Sequence, residues 1–241
     1  MSAVDFDDEI PMGVEKADGF YRFVRSLLFP IARFILDYGA PEVEGREHIP
    51  PHGAFIFASN HASNLDPPVL ALASPRPLTF LAKVELFRNP LFSRLIRSLG
   101  AFPIVRGSRD SKAMVTAVEF LKRGHCLVVF PEGTRTRTGR MGRIRSGVAV
   151  LAVKAGVPIV PAYIEGTFAA WPKGGKLRRA PVRVRIGAPI SPAGVADEMK
   201  GYSEIVKRLD ASLKTLVGDA ESRLAPPGGG AEMESSTETE T

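Results

Sequence analysis

The sequence predicts an α/β fold, a single domain whose central mixed sheet is flanked by helices and preceded by an amphipathic helix suited to a membrane interface. Three observations carry this expectation. Short apolar runs of strand length alternate with segments of helical spacing from residue 53 to residue 217, the pattern of a sheet covered on both faces. The 241 residues are 44% hydrophobic, enough for one compact core. Several apolar runs end in histidine, arginine or a carboxylate, and open α/β sheets place their chemistry at the carboxyl ends of strands.

In chain order, residues 1–18 hold six acids and Lys16 and read as a flexible acidic lead-in. Residues 225–241 are built from Pro, Gly, Ser, Thr and Glu and read as a disordered acidic tail. These segments carry −5 and −4, so the formal net charge of +6 leaves +15 on residues 19–224. A body this basic suits anionic partners: phosphate-bearing small molecules, an anionic membrane surface, or nucleic acid. Nucleic acid is the least supported, because zinc-ligand spacing, an aromatic RNP pattern and a helix-turn-helix are all missing. The first 18 residues are acidic where a secretory signal would be basic and then apolar, so no signal peptide is expected. No run approaches the ~20 apolar residues of a spanning helix. Cys126, the single cysteine, lies in the apolar run Cys126-Leu127-Val128-Val129-Phe130 and reads as a small buried hydrophobe.

Residues 19–38 carry Phe20, Phe23, Leu27 and Phe34 among Arg22, Arg25 and Arg33, with a kink expected at Pro30. Such a helix either lies in a membrane interface, its arginines on headgroup phosphates, or packs on the protein's own core. The catalytic unit is expected over residues 39–224. It opens with a turn-rich connection from Gly39 to Gly53, in which His48 and His52 are ordinary loop residues. Strands are then expected at Gly53 to Ser59, Leu78 to Ala82, Ala101 to Val105, His125 to Phe130, Val157 to Tyr163 and Val182 to Ile186. Helices are expected at Pro68 to Ala73, Asn89 to Leu99, Asp110 to Arg123, Ser146 to Ala155 and Tyr202 to Val217. The last has core spacing in Ile205, Leu209, Leu213 and Leu216. Pro158 and Pro161 predict that their strand is an edge or carries a bulge.

The chemistry concentrates in Ser59-Asn60-His61-Ala62-Ser63-Asn64-Leu65-Asp66. A neutral imidazole whose second nitrogen is held by a carboxylate is a general base at physiological pH. Five residues on one regular helix would point His61 and Asp66 about 140° apart, so the segment must turn if they are to meet. Pro67-Pro68 favour a helix start there, which leaves two readings of Asp66: it orients His61, or it only caps the helix. Two further strands end in polar groups. Gly100 to Val105 ends in Arg106, able to grip a phosphate with two N–H groups. Phe130-Pro131 leads into Glu132, Gly133, Thr134, Arg135 and Thr136.

Taken together, the box Asn60-His61 with Asp66, the stretch Gly100 to Arg106, the stretch Phe130 to Arg135 and the stretch Val157 to Pro161 resemble, in order and spacing, the four blocks of the glycerolipid acyltransferases. The likeness is strongest to the 1-acyl-sn-glycerol-3-phosphate (lysophosphatidate) acyltransferases. It runs from about Gly45 to Ile190 and includes Ala82-Lys83-Val84-Glu85-Leu86-Phe87. The resemblance implies that His61 deprotonates an acceptor hydroxyl, with Asp66 orienting its ring, and that the hydroxyl attacks an acyl thioester carried by CoA or acyl-carrier protein. It implies a substrate-binding set of Arg106, Glu132, Gly133, Thr134, Arg135, Asn60 and Lys83, with Glu132 on a glycerol hydroxyl or holding an arginine. Neither a metal nor a cofactor beyond the thioester co-substrate is expected. The implied product is phosphatidate, made by a peripheral or monotopic protein on the cytoplasmic face of a membrane. The same chemistry on glycerol 3-phosphate or a lyso-aminolipid, or a non-catalytic membrane-binding module, are the alternatives. One departure stands out: Ile144-Arg145-Ser146-Gly147-Val148 keeps a cation and glycine where the family often has Phe-Lys-x-Gly-Ala. Arg135, Arg137, Arg140, Arg143 and Arg145 crowd this loop, to meet lipid headgroups, CoA phosphates or solvent.

Overall fold

The structure is a computed structural model and describes residues 41–98, 100–104 and 111–224. The expected lead-in, the interfacial helix over 19–38, the acidic tail and Arg106 lie outside the described residues. Seven strands form one mixed sheet: β1 (Glu42–Glu44), β2 (Ile56–Ser59), β3 (Leu78–Lys83), β4 (Ala101–Ile104), β5 (Cys126–Val129), β6 (Ile159–Glu165) and β7 (Arg183–Ile186), in the order β1-β7-β6-β2-β5-β3-β4. The helices are α1 (Asp66–Ala73), α2 (Pro90–Ser98), α3 (Ser111–Lys122), α4 (Gly147–Ala155), α5 (Thr167–Ala170) and α6 (Met199–Leu224).

β2 is buried at every position because it lies between β6 and β5 with both faces covered. Phe55 and Phe57 point to one face, where they meet Val69 and Leu70 of α1. Ile56 and Ala58 point to the other, with Leu121 of α3, Leu151 of α4 and Leu209 of α6. Each such side chain contributes roughly 1.5–3 kcal/mol when fully buried. Ile205, Leu209, Leu213 and Leu216 are all buried, as their spacing predicts, and Cys126 is buried among the Phe57 face.

Topology decides where the chemistry can sit. β2 to β6 run parallel to one another, so their carboxyl ends share one edge of the sheet. From β2 the chain passes through α1 on one face to β3, and from β5 through α4 on the other face to β6. The two connections leave neighbouring strands in opposite directions, which opens a crevice at the carboxyl edge beside β2 and β5. β7 pairs antiparallel with β6, and β1 parallel with β7.

Three expectations are corrected. The connection from Gly39 to Gly53 is not all turn: Glu42–Glu44 pairs with Arg183, Val184 and Arg185 as strand β1, too short to show in a sequence pattern. β6 is an interior strand, neither edge nor bulge. It tolerates Pro161 because that residue lies just beyond the β7 ladder, which starts at Ala162, and its carbonyl still accepts the Gly187 N–H at 2.9 Å. Asp66 is not a cap: Leu65 holds that position without a side-chain bond, and Asp66 is the first residue of α1, its carboxylate turned back over the preceding loop.

β6 ends at Glu165, and Gly166 turns the chain into α5 with φ of 88°. A Cβ there would lie 1.9 Å from the Pro181 carbonyl oxygen, so strain and a backbone clash act together. Gly166→Ala should therefore cost more than about 3 kcal/mol, read as a fall in the urea midpoint of the full chain or as loss of soluble protein.

Candidate active site

Beyond β2 the chain reaches the carboxyl edge at Asn60 and turns until α1 begins at Asp66. The turn brings His61 Nδ1 to 2.8 Å from Asp66 Oδ2. That same oxygen accepts the backbone N–H groups of Ala62 (2.7 Å) and Ser63 (2.8 Å), while Oδ1 accepts the Thr167 hydroxyl at 2.6 Å. An oxygen already taking two amide protons acts as an acceptor, so Nδ1 is the donor and the imidazole proton sits on it. Nε2 then carries the lone pair, and it has no hydrogen-bond partner among the described residues. The His61 side chain is 19% exposed and that of Asp66 is 0%, so the base is reachable and its carboxylate is not.

The ring is held in other ways too. Phe130, just past β5, stacks on it with centroids 4.0 Å apart and planes 15° from parallel. The His61 N–H donates to Glu132 Oε1 at 2.8 Å, and the Thr136 N–H donates to the His61 carbonyl at 2.8 Å. The loop after β5 thus grips both backbone groups of the histidine.

This gives Glu132 a different occupation from the glycerol hydroxyl or arginine expected for it. It is buried, and its second oxygen accepts the Gly142 N–H at 2.7 Å, so the carboxylate clasps the two limbs of its own loop and the His61 backbone. Asn60 is also bonded to the backbone. Its buried amide donates to the Ile164 carbonyl at 2.9 Å and accepts the Ile164 N–H at 2.7 Å, imitating a strand residue and adding a rung between the end of β2 and β6. A primary amide matches a peptide group in both directions, which accounts for the fit.

Three other expected residues, Gly133, Thr134 and Arg135, lie on the loop that grips His61. Gly133 takes φ of 76°, and the Arg145 guanidinium lies 3.3 Å from where a Cβ would stand, so glycine serves both the turn and that passage. Thr134 is exposed and Arg135 half-buried on the same loop. Lys83 closes β3 at the same edge of the sheet. Among the described residues, no three His, Cys, Asp or Glu side chains converge as metal ligands. Sequence reading missed Thr167, Phe130 as a stacking partner, Thr136 as a backbone donor and Ser63, whose hydroxyl donates to the Trp171 carbonyl at 2.8 Å. A signal for Thr167 was present. β6 runs two residues past Tyr163 and then meets Gly166-Thr167, a glycine and hydroxyl after a strand-end glutamate, as in Glu132-Gly133-Thr134.

A family model described as acyltransferase matches residues 40–165, just over half of the chain. A 1-acyl-sn-glycerol-3-phosphate acyltransferase of Limnanthes douglasii is 32% identical over 190 residues, which are 74% of this chain and 67% of that protein. The chloroplastic enzyme of that name from Brassica napus is 32% identical over 176 residues, 71% of this chain and 50% of the relative. The chain therefore spans about half the length of such chloroplastic relatives. The crystal structure of the 1-acyl-sn-glycerophosphate acyltransferase PlsC from Thermotoga maritima superposes with a TM-score of 0.70 at 30% identity, covering 88% of this chain and 81% of that one.

The geometry distinguishes a clasp from a ligand at Glu132. Glu132→Gln would set an amide N–H against a backbone N–H, so it should cost about 2 kcal/mol of stability in chemical denaturation and lower kcat. The acceptor KM should move less than kcat; a KM effect alone would mark Glu132 as a substrate contact.

Proposed function

The chain belongs to the acyltransferase family, and from that premise we propose that it transfers a fatty acyl group from a thioester of CoA or acyl-carrier protein to the free hydroxyl of 1-acyl-sn-glycerol 3-phosphate. The observation that carries this reading is the His61–Asp66 pair, with its protonated nitrogen on a buried carboxylate and its basic nitrogen facing outward. In the proposed reaction, Nε2 takes the hydroxyl proton as the oxygen attacks the thioester carbonyl. The tetrahedral adduct collapses to an ester, and the departing thiolate recovers the proton from the imidazolium. No covalent acyl-enzyme is needed, since the thioester is already activated. Arg106 and Arg135 are assigned to the acceptor's phosphate, and Lys83, Gly133 and Thr134 to its surroundings.

The acceptor's acyl chain lies in a bilayer, so the reading adds an anionic membrane surface as partner, met peripherally from the cytoplasmic side. No helix among the described residues is long and apolar enough to cross a membrane. The carboxyl edge supports the docking. Val84 and Leu86 follow β3, Leu91 opens α2 and Leu177 lies beyond β6, all of them exposed. Arg88, Lys173, Lys176 and Arg178 stand exposed beside them, as do Arg137, Arg140 and Arg143 on the loop that grips His61. No acidic residue occurs from Gly133 to Ile164 or from Gly166 to Ala196, so the parts of this surface after β5 and after Gly166 carry cations alone, while Glu85 stands exposed between Val84 and Leu86. Cations near an anionic leaflet add about 1 kcal/mol each, and the apolar side chains add a part that salt does not screen.

Three measurements test the reading. Purified protein given radiolabelled acyl-CoA or acyl-carrier protein and a panel of lyso-acceptors should make phosphatidate fastest. A faster reaction with glycerol 3-phosphate or a lyso-aminolipid would reassign the acceptor, and no transfer to any of them would remove the enzyme reading. His61→Ala should cost ~10²-fold or more in kcat while leaving the thermal midpoint in place. On the membrane side, Leu86→Asp with Leu177→Asp should reduce sedimentation with anionic liposomes, and high salt should release the unaltered protein only in part. Undiminished binding of the double variant would move the docking surface elsewhere.

A further inference from the structure

The described side chains include one buried donor that the acyl-transfer scheme leaves unused and that reaches its machinery directly. We infer that Thr167 is a positioning residue for acyl transfer: its hydroxyl holds Asp66 so that Oδ2 faces His61. The inference rests on the reading of His61 as the base.

The geometry is specific. Thr167 and Asp66 are both fully buried, and Thr167 Oγ1 donates to Asp66 Oδ1 across 101 residues of sequence at 2.6 Å, a charge-assisted length. The two oxygens of Asp66 are thereby given different work. Oδ2 takes the imidazole and two loop amides, and Oδ1 takes the hydroxyl. Remove the hydroxyl and Oδ1 becomes a buried acceptor short of its donor, free to turn about Cβ–Cγ toward the amides that hold Oδ2 in place. Thr167 is itself fixed at both ends of a short segment. Gly166 takes the left-handed turn before it, and the Trp171 carbonyl beyond it accepts the Ser63 hydroxyl at 2.8 Å. The end of β6 and the segment after it thus brace the segment after β2 at Asn60, Ser63 and Asp66.

The other carboxylate beside His61, Glu132, has both oxygens turned to backbone N–H groups, so Asp66 is the one in contact with the ring among the described residues.

Full-length Thr167→Val keeps the shape and loses the donor, and Thr167→Ser keeps the donor. The valine variant should lose about ten-fold in kcat with both KM values within about two-fold, and the serine variant should recover most of the loss. The proton NMR resonance of the His61 Nδ1–H, assigned by its disappearance in His61→Ala, should be displaced or lost in the valine variant, where Oδ2 no longer stays on the ring, and unmoved in the serine variant. Thr167→Ala gives the same comparison should the valine variant not fold. Wild-type kcat in the valine variant, equal losses in valine and serine variants, or an unmoved Nδ1–H resonance in the valine variant would each overturn the inference. The resonance needs no substrate, so it decides the role of Thr167 even if the unaltered protein transfers no acyl group; that result would instead remove the acyl-transfer reading.

Discussion

A carboxylate removed from water must be matched by donors, and Asp66 is matched by four: the His61 ring, the amides of Ala62 and Ser63, and the Thr167 hydroxyl. Without them its burial would cost several kcal/mol. Much of the local architecture follows from this requirement. The loop after β2 must fold back to aim two successive amides at one oxygen. α1 must begin at Asp66, with Pro67 and Pro68 filling positions where a missing N–H does no harm. β6 must extend to Glu165 and turn sharply at Gly166, so that Thr167 arrives from the far side.

The side chains of this edge divide into two groups. Those that hold the histidine are buried and bonded in pairs: Asn60 with Ile164, Glu132 with two backbone amides, Thr167 with Asp66. Those that would meet lipid and phosphate are exposed, basic or apolar, and lie on the loops after β3, β5 and β6. The first group tolerates little change because each member has an orphan partner if it is altered. The second acts by summed charge and area, so single changes there have smaller effects.

The sequence made the strands and helices of the body legible because apolar runs and helical spacing persist through them, and the turn between His61 and Asp66 followed from simple helix geometry. Other features were hidden for physical reasons. β1 has three residues, two of them glutamates, and becomes a strand only by pairing with β7. Pro161 suggests an edge, yet it sits in an interior strand because its missing N–H falls where the ladder stops. Asn60 and Glu132 carry the polar groups of substrate ligands, and their type does not disclose whether a backbone amide has already claimed them. That depends on contacts made 104 and 71 residues away, which no local pattern contains.

Those separations have a consequence in time. Three of the bonds that hold the site join the loop after β2 and the start of α1 to the loop after β5, to β6 and to the turn beyond it, and each waits until the segments it joins are docked. Contacts between residues so far apart close late, since the entropy of closing long loops must be met before they are rewarded. A nascent or partly folded chain therefore has His61 and Asp66 without the long-range bonds that fix them. The chain becomes chemically competent only when its sheet is complete, so the regain of activity on refolding would report the final step of assembly rather than the first collapse.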